Sequence, residues 1–270
     1  MNAIITLTTD FGFTDAYVAA MKGVILSINP KVTLVDISHS IKPQNILQAA
    51  FVLSTAYPFF PKETTHLVVV DPGVGTERKA IILETSLAYF VAPDNGVLSY
   101  VIQQTSPKSK EGKLGPEVEA TALTKPEFWR ATVSTTFHGR DIFAPVAALL
   151  SLGFTPTDFG ETINSVIMLP LSHPRRTPEG VVGNIIHIDN FGNLITNISG
   201  HDLFETSHEI TIEVCNQLIS GLSRTYAEGK GLTALIGSSG YLEIALAENS
   251  ASAFTGADVG DELKIRWQKG

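Results

Sequence analysis

The chain has 270 residues, 44% hydrophobic and 17% charged, with a formal net charge of −8 and a pI near 5.3. That length holds two domains or one large one, and the apolar fraction suffices for a real core. The acidic balance repels phosphate backbones and argues against a nucleic-acid partner, while a cationic substrate is tolerated.

In chain order, "AIITLTT" is a short β-branched strand ending at Asp10. "DAYVAAMKGVILSI" carries apolar residues at helical spacing and stops at Asn29-Pro30. "VTLVDIS" is a second strand, and "QNILQAAFVLSTAY" a second helix closed by Pro58. "THLVVVDPG" is apolar throughout, as expected of a strand buried on both faces. "KAIILET" and "LAYFVAP" are further strands, followed by a helix in "GVLSYVIQQ". Strands alternating with helices predict an α/β domain with a mostly parallel sheet. Residues 105–117 read as a polar surface loop, "RATVSTTF" as strand-like, and "DIFAPVAALLSLG" as the last helix of this domain. Prolines and arginines in "LSHPRRTPEGVV" mark a linker, and the pattern beyond it is β only. The expected organisation is an α/β domain over 1–172, a linker over 173–180, and a small antiparallel barrel or sandwich over 181–270.

Ligands of open α/β sheets bind outside the carboxyl ends of the strands. Asp10 and Asp71 end strands there, and His138 follows the strand-like stretch, so the fold is expected to gather them at one edge. Asp10 can accept hydrogen bonds from both hydroxyls of a ribose or cap the next helix, although Asp15 is better placed as the cap. Arg78 follows Asp71 by seven residues, and its fork can hold that carboxylate ionised; an ordinary hairpin salt bridge is the alternative. "VVVDPGVGTERKAI" is neither a phosphate loop nor a dinucleotide fingerprint. His138 adjoins Gly139, which permits close backbone approach, and Asp141 is expected to cap the helix it heads. In the second domain "HIDNFGNLITN" places Asp189, Phe191 and Asn193 around a glycine bend. That is either a plain hairpin or a carboxylate, an aromatic face and an amide for a nucleoside-like ligand. "GSSGYLEIA" adds Ser238 and Ser239 on a glycine-rich turn.

The histidines show no metal-ligand spacing and no GxSxG elbow occurs, so neither a metal nor a covalent intermediate is expected. The single cysteine, Cys215, excludes an intramolecular disulfide. No apolar run is long enough to span a membrane, and the N-terminus lacks a basic leader, so a cytoplasmic protein is expected.

Taken together, "ITLTTDFGFTDAYVAAMKG", "VDPGVGTERKAI", "APDNGVLS", "TFHGRDIFAP", "IDNFGNLITN" and "GSSGYLEIA" resemble the S-adenosyl-L-methionine (SAM) hydroxide adenosyltransferases, adenosine-forming SAM hydrolases related to fluorinase and chlorinase. The resemblance covers nearly the whole chain. It implies that Asp10 grips the ribose hydroxyls, that Asp15 and Asp189 lie near the methionine amine, and that Asp71, Arg78 and His138 handle water. It further implies that Phe137 walls the ribose, Asn193 reads adenine, Tyr226 stacks on the base, and Ser238 meets the methionine carboxylate; Phe191 and Ser239, on the same two turns, are counted with the substrate-binding residues. It also implies SAM as substrate rather than cofactor, and a homotrimer with sites between one subunit's first domain and its neighbour's second. Halide-using relatives resemble this chain but carry tyrosine where Asp71 stands, serine where Gly139 stands, and arginines where Ser239 and Leu246 stand. The implied reaction is attack of water on C5′ of SAM, giving adenosine and L-methionine. A halide-dependent halogenase of the same fold and a non-catalytic adenosine- or SAM-binding protein are the alternatives.

Overall fold

The computed structural model describes residues 3–109, 112–204, 210–229 and 231–267, and the chain divides into units Met1–Pro170 and Leu171–Gly270. The first unit holds strands β1 (Ile4–Thr9), β2 (Thr33–Ser38), β3 (Thr64–Val69), β4 (Ala80–Thr85), β5 (Ala88–Pro93), β6 (Val118–Leu123) and β7 (Gly160–Ile163) in one sheet. Its helices are α1 (Tyr17–Ile28), α2 (Ile46–Ala56), α3 (Ser99–Thr105) and α4 (Ala144–Leu150). The strand order is β2-β1-β3-β5-β4-β6-β7. The pairings β2–β1, β1–β3 and β3–β5 are parallel, and the other three are antiparallel.

Strand β3 shows why the sequence gives three layers. Every residue in it is buried, and successive side chains point to opposite faces. Leu67 and Val69 enter the core shared with α1 and α4, while Val68 and Val70 enter the core with α2 and α3. After β1 the chain turns towards β2, and after β3 it turns away towards β4. Loops therefore leave these neighbouring strand ends in opposite directions, the arrangement that opens a ligand crevice in α/β sheets.

Several local expectations are corrected. "RATVSTTF" forms turns and pairs with no strand, because its backbone is tied to a buried aspartate rather than to a ladder. Helix α1 begins at Tyr17 with Ala16 at its cap position and no side-chain cap, so Asp15 does not cap it and is exposed. The predicted last helix opens as a wide π turn over Gly139–Phe143 before α4, with His138 rather than Asp141 at the cap position. Strands β6 and β7 extend the sheet where the sequence reading placed none.

The second unit holds β8 (Arg175–Thr177), β9 (Gly180–Ile188), β10 (Leu194–Ser199), β11 (Ile210–Val214), β12 (Gln217–Ser220), β13 (Leu232–Ile236), β14 (Tyr241–Leu246) and β15 (Glu262–Trp267). They pair antiparallel in the order β12-β11-β15-β9-β10-β14-β13, with β8 on β9. The stretch 173–180 thus carries a strand of this sheet. Ser223 N donates to Ala234 O at 2.8 Å, tying the chain beyond β12 to β13 and nearly closing the sheet into a barrel. Val181, Ile185, Leu194, Ile198, Ile212 and Leu242 fill it. Two short helices, α5 (Gly200–Phe204) and α6 (Ala251–Thr255), interrupt what reads as β only. Among the described residues no helix is long and apolar enough to cross a membrane.

Candidate active site

Thr9 at the end of β1 pairs with Val69 at the end of β3, so Asp10 and Asp71 emerge from adjacent strand ends. Arg78 Nε donates to Asp71 Oδ1 at 2.8 Å, and its Nη2 closes the fork on Oδ2. The same Nη2 lies 3.0 Å from His138 Nδ1. An arginine only donates, so His138 Nδ1 accepts and the ring proton belongs on Nε2. Arg78 also lies over the Phe143 ring, 5.1 Å from its centroid. The Asp71 and Arg78 side chains are only 5% and 9% exposed, which keeps their attraction strong. Burial lowers the His138 pKa, the Arg78 charge lowers it further, and Asp71 and Asp141 only partly oppose them. His138 is therefore a neutral imidazole at neutral pH, its lone pair facing a cation.

A cavity of about 370 Å³ opens here, lined by Asp10, Gln44, Asp71, Phe137 and His138 among others. Phe11, Tyr17 and Phe137 form one wall, with ring centroids 5.2–5.8 Å apart. Asp10 Oδ2 accepts from Gln44 N at 2.7 Å, and Gln44 holds a left-handed φ of 63° to deliver that donor. Asp15 is outside this lining. Gln44 and Tyr17 are lining residues that the sequence reading missed. The signal for Gln44 was its place on the loop after β2, beside the crevice that the strand order opens.

The loop bearing Phe137 and His138 hangs on Asp141, whose side chain is fully buried. Arg140 Nε and Nη2 donate to its two oxygens at 2.7 and 2.8 Å, Ser134 N donates to Oδ2 at 2.9 Å, and Arg130 Nη1 lies 3.7 Å away. Burial raises the Asp141 pKa, but these hydrogen bonds and the Arg140 and Arg130 charges outweigh it, and the carboxyl ends below its ordinary value. Asp141 therefore anchors a loop instead of capping a helix. Arg140 also covers the Phe137 ring, 5.0 Å from its centroid. Gly139 has no spare room, since a β-carbon there would meet Val69 Cγ1 at 3.1 Å and Met21 Sδ at 3.2 Å.

In the second unit Asp189 and Asn193 are joined. Asp189 Oδ1 accepts from Phe191 N and Asn193 N, and Oδ2 from Asn193 Nδ2, each at 2.9 Å. Phe191, at the bend, is 76% exposed. Ser238 and Ser239 are exposed on the turn between β13 and β14. Tyr226 donates its hydroxyl to Glu243 Oε1 at 2.7 Å, and this bond pushes its pKa up to about 12. Glu243, missed by the sequence reading because it looks like an ordinary strand residue in "YLEIA", is buried. Burial raises its pKa, the Tyr226 hydrogen bond opposes this, and nearby Asp189 adds to the rise.

Residues 5–160 match the model of the SAM hydroxide adenosyltransferase N-terminal domain, and residues 183–264 that of the C-terminal domain. The (R)-S-adenosyl-L-methionine hydrolase of Methanocaldococcus jannaschii is 38% identical, over 97% of this chain and 95% of its own. The Thermus thermophilus protein of the same name is 34% identical, over 95% and 97%. A fluorinase from Actinoplanes sp. is 28% identical, over 93% and 92%. A solved structure of an uncharacterized conserved protein from Thermotoga maritima superposes with a TM-score of 0.87 at 36% identity, covering 97% of this chain and 99% of that one. Both units match in order and nearly end to end, and the hydrolases share more identity than the fluorinase, so the chain belongs to the SAM hydroxide adenosyltransferase family.

Proposed function

We propose that this chain hydrolyses S-adenosyl-L-methionine to adenosine and L-methionine, and that it takes the (R)-sulfonium epimer for which its hydrolase relatives are named. The observation that carries the chemistry is the Asp71–Arg78–His138 set, hydrogen-bonded together at the edge of a cavity that Asp10 also lines. Water oxygen forms a bond to C5′ while the C5′–S bond breaks, and its electron pair stays on sulfur as a neutral thioether. No general acid is needed. The attacking water becomes strongly acidic as the bond forms, so a weak base suffices to take its proton.

Asp71 is that base in this reading. Arg78 faces the His138 lone pair, so His138 acts as a donor that orients the water through Nε2–H. Holding water in line behind C5′ removes several kcal/mol of the barrier, roughly 7–11 at most. Asp10 receives the ribose hydroxyls, and Phe137 lies against the sugar. The binding half comprises Asp189, Phe191, Asn193, Tyr226, Ser238 and Ser239, with Asp15 near the methionine amine. The reading includes a cytoplasmic homotrimer in which one subunit's first domain works with its neighbour's second, and its support is the family likeness. A halogenase is disfavoured because the Asp71 carboxylate repels a halide.

The test incubates the protein separately with each sulfonium epimer in ¹⁸O-water. The expected result is adenosine labelled at its 5′-hydroxyl and unlabelled methionine, formed from the (R) epimer. No adenosine, unlabelled adenosine, or a product that depends on added halide overturns the hydrolysis. Full activity in a monomeric preparation overturns the trimer.

A further inference from the structure

Of the six stretches that carry the family resemblance, "APDNGVLS" contributes no residue to the cavity lined by Asp10 and Asp71. It covers the end of β5 and the turn after it. That turn is bonded to both chain segments that carry the Asp71–Arg78 fork.

The parallel pairing of β3 with β5 runs from Thr64–Ala88 to Leu67–Val91. Beyond it stands Pro93, which has no N–H to give to a ladder. Val70, three residues past the last pair, is fully buried, and a buried carbonyl needs a donor. The Asn95 side chain supplies one: its Nδ2 donates to Val70 O at 2.9 Å. One residue earlier, Asp94 N donates to Lys79 O at 2.8 Å. Val70 precedes Asp71 and Lys79 follows Arg78, so a single turn grips the chain on both sides of the fork. The turn is itself held in place. Asn95 Oδ1 accepts from Val97 N at 3.1 Å, and the buried Asp94 carboxylate accepts from Ile167 N at 2.7 Å.

A carboxylate that must meet a water in line with C5′ tolerates little displacement, since about 1 Å can cost roughly 10²-fold in rate. We propose that Asn95 is a positioning residue for the reaction: through Val70 it sets where Asp71 stands, without touching the substrate. This rests on the hydrolysis proposed above.

Two variants divide its bonds. Asn95→Ala removes both. Asn95→Ser keeps an acceptor for Val97 N, since serine replaces asparagine in such turns, but its shorter side chain cannot reach Val70 O. Turnover is measured per adenosine-binding site counted by calorimetry, so unfolded protein does not enter. In both variants kcat is expected to fall by about 10–100-fold, with the KM for SAM and the adenosine affinity within about twofold of wild type. The coupling to Asp71→Asn then separates positioning from a purely structural role. Once the base is gone its placement no longer matters, so Asn95→Ser should cost less than about threefold in that background. Near-normal kcat in the Asn95 variants overturns the proposal, as does a loss of affinity in place of kcat. So does an equal loss with and without the Asp71 carboxylate, because a structural defect penalises either background alike. Absence of adenosine from the wild type overturns the hydrolysis instead.

Discussion

Asp71 in the first unit gives both oxygens to Arg78, which reaches on to His138, whereas Asp189 in the second gives its oxygens to its own hairpin. The first arrangement links side chains from two distant segments, the β3–β4 connection and the loop before α4, and turns a charged, mutually neutralised group towards a cavity. The second links residues within five positions of one another and shapes a bend that displays Phe191. One is preorganised for a reacting molecule, the other for a surface. The same residue type therefore makes different predictions in the two units: loss of turnover with binding kept in the first, loss of local stability in the second.

The largest effect is expected where that contrast is sharpest. Asp71→Asn and His138→Ala should each lower turnover by ~10²–10⁴, with adenosine affinity by calorimetry nearly unchanged. The double variant should lose little more, because both groups act on one water. Near-normal turnover in both single variants would remove the distinction between the units. Next comes Asp141→Ala, which strips a buried carboxylate from Arg140 and leaves the 130–138 loop unanchored. Losing these hydrogen bonds, with Arg140 left partly in water, costs about 1–3 kcal/mol, read as a lower urea midpoint, and turnover should fall with it because His138 loses its seat.

His66 gives a comparable effect that depends on pH. It is fully buried on β3, its Nδ1 is 2.7 Å from Thr6 Oγ1, its ring stacks on Phe90, and burial lowers its pKa to about 4. The unfolded chain takes up a proton near 6.5, where the folded chain refuses it. The stabilisation is thus complete above 6.5 and lost as pH falls towards about 4, by on the order of 3 kcal/mol. His66→Phe should flatten the slope of unfolding free energy over that window, and an unchanged slope would assign the acid sensitivity elsewhere. The smallest effect is expected for Asp189→Ala. Three hydrogen bonds vanish from a half-exposed hairpin, costing about 1–3 kcal/mol, with adenosine binding weakened in the same proportion as the bend loosens. Weakened binding without any loss of thermal stability would make Asp189 a ligand contact rather than a bend-former.

Legibility in the sequence follows the same division between local and distant causes. The unbroken apolar run of β3 and the aspartates that end β1 and β3 are readable because strand burial and strand termination are local patterns. The parallel half of the sheet follows from them. Residues 130–137 carry β-branched side chains but have no neighbouring strand to pair with, and what fixes them is Asp141, which composition alone makes look like a cap. Strand β6 hides because Glu119 interrupts its apolar pattern beside a polar loop. Gln44 leaves only its place after β2 as a signal, and Glu243 leaves none. One matters through a backbone N–H at an unusual φ, the other through a tyrosine seventeen residues away.

The crowding around Gly139 also sets the terms on which that position can change. A β-carbon there would press on Val69 and Met21 at 3.1 and 3.2 Å, so one of those neighbours must give by a few tenths of an ångström. Met21, unbranched and flexible, is the neighbour better able to move, whereas β-branched Val69 is stiff. The tolerance of a larger residue beside His138 is therefore decided in helix α1, by a side chain outside the cavity lining.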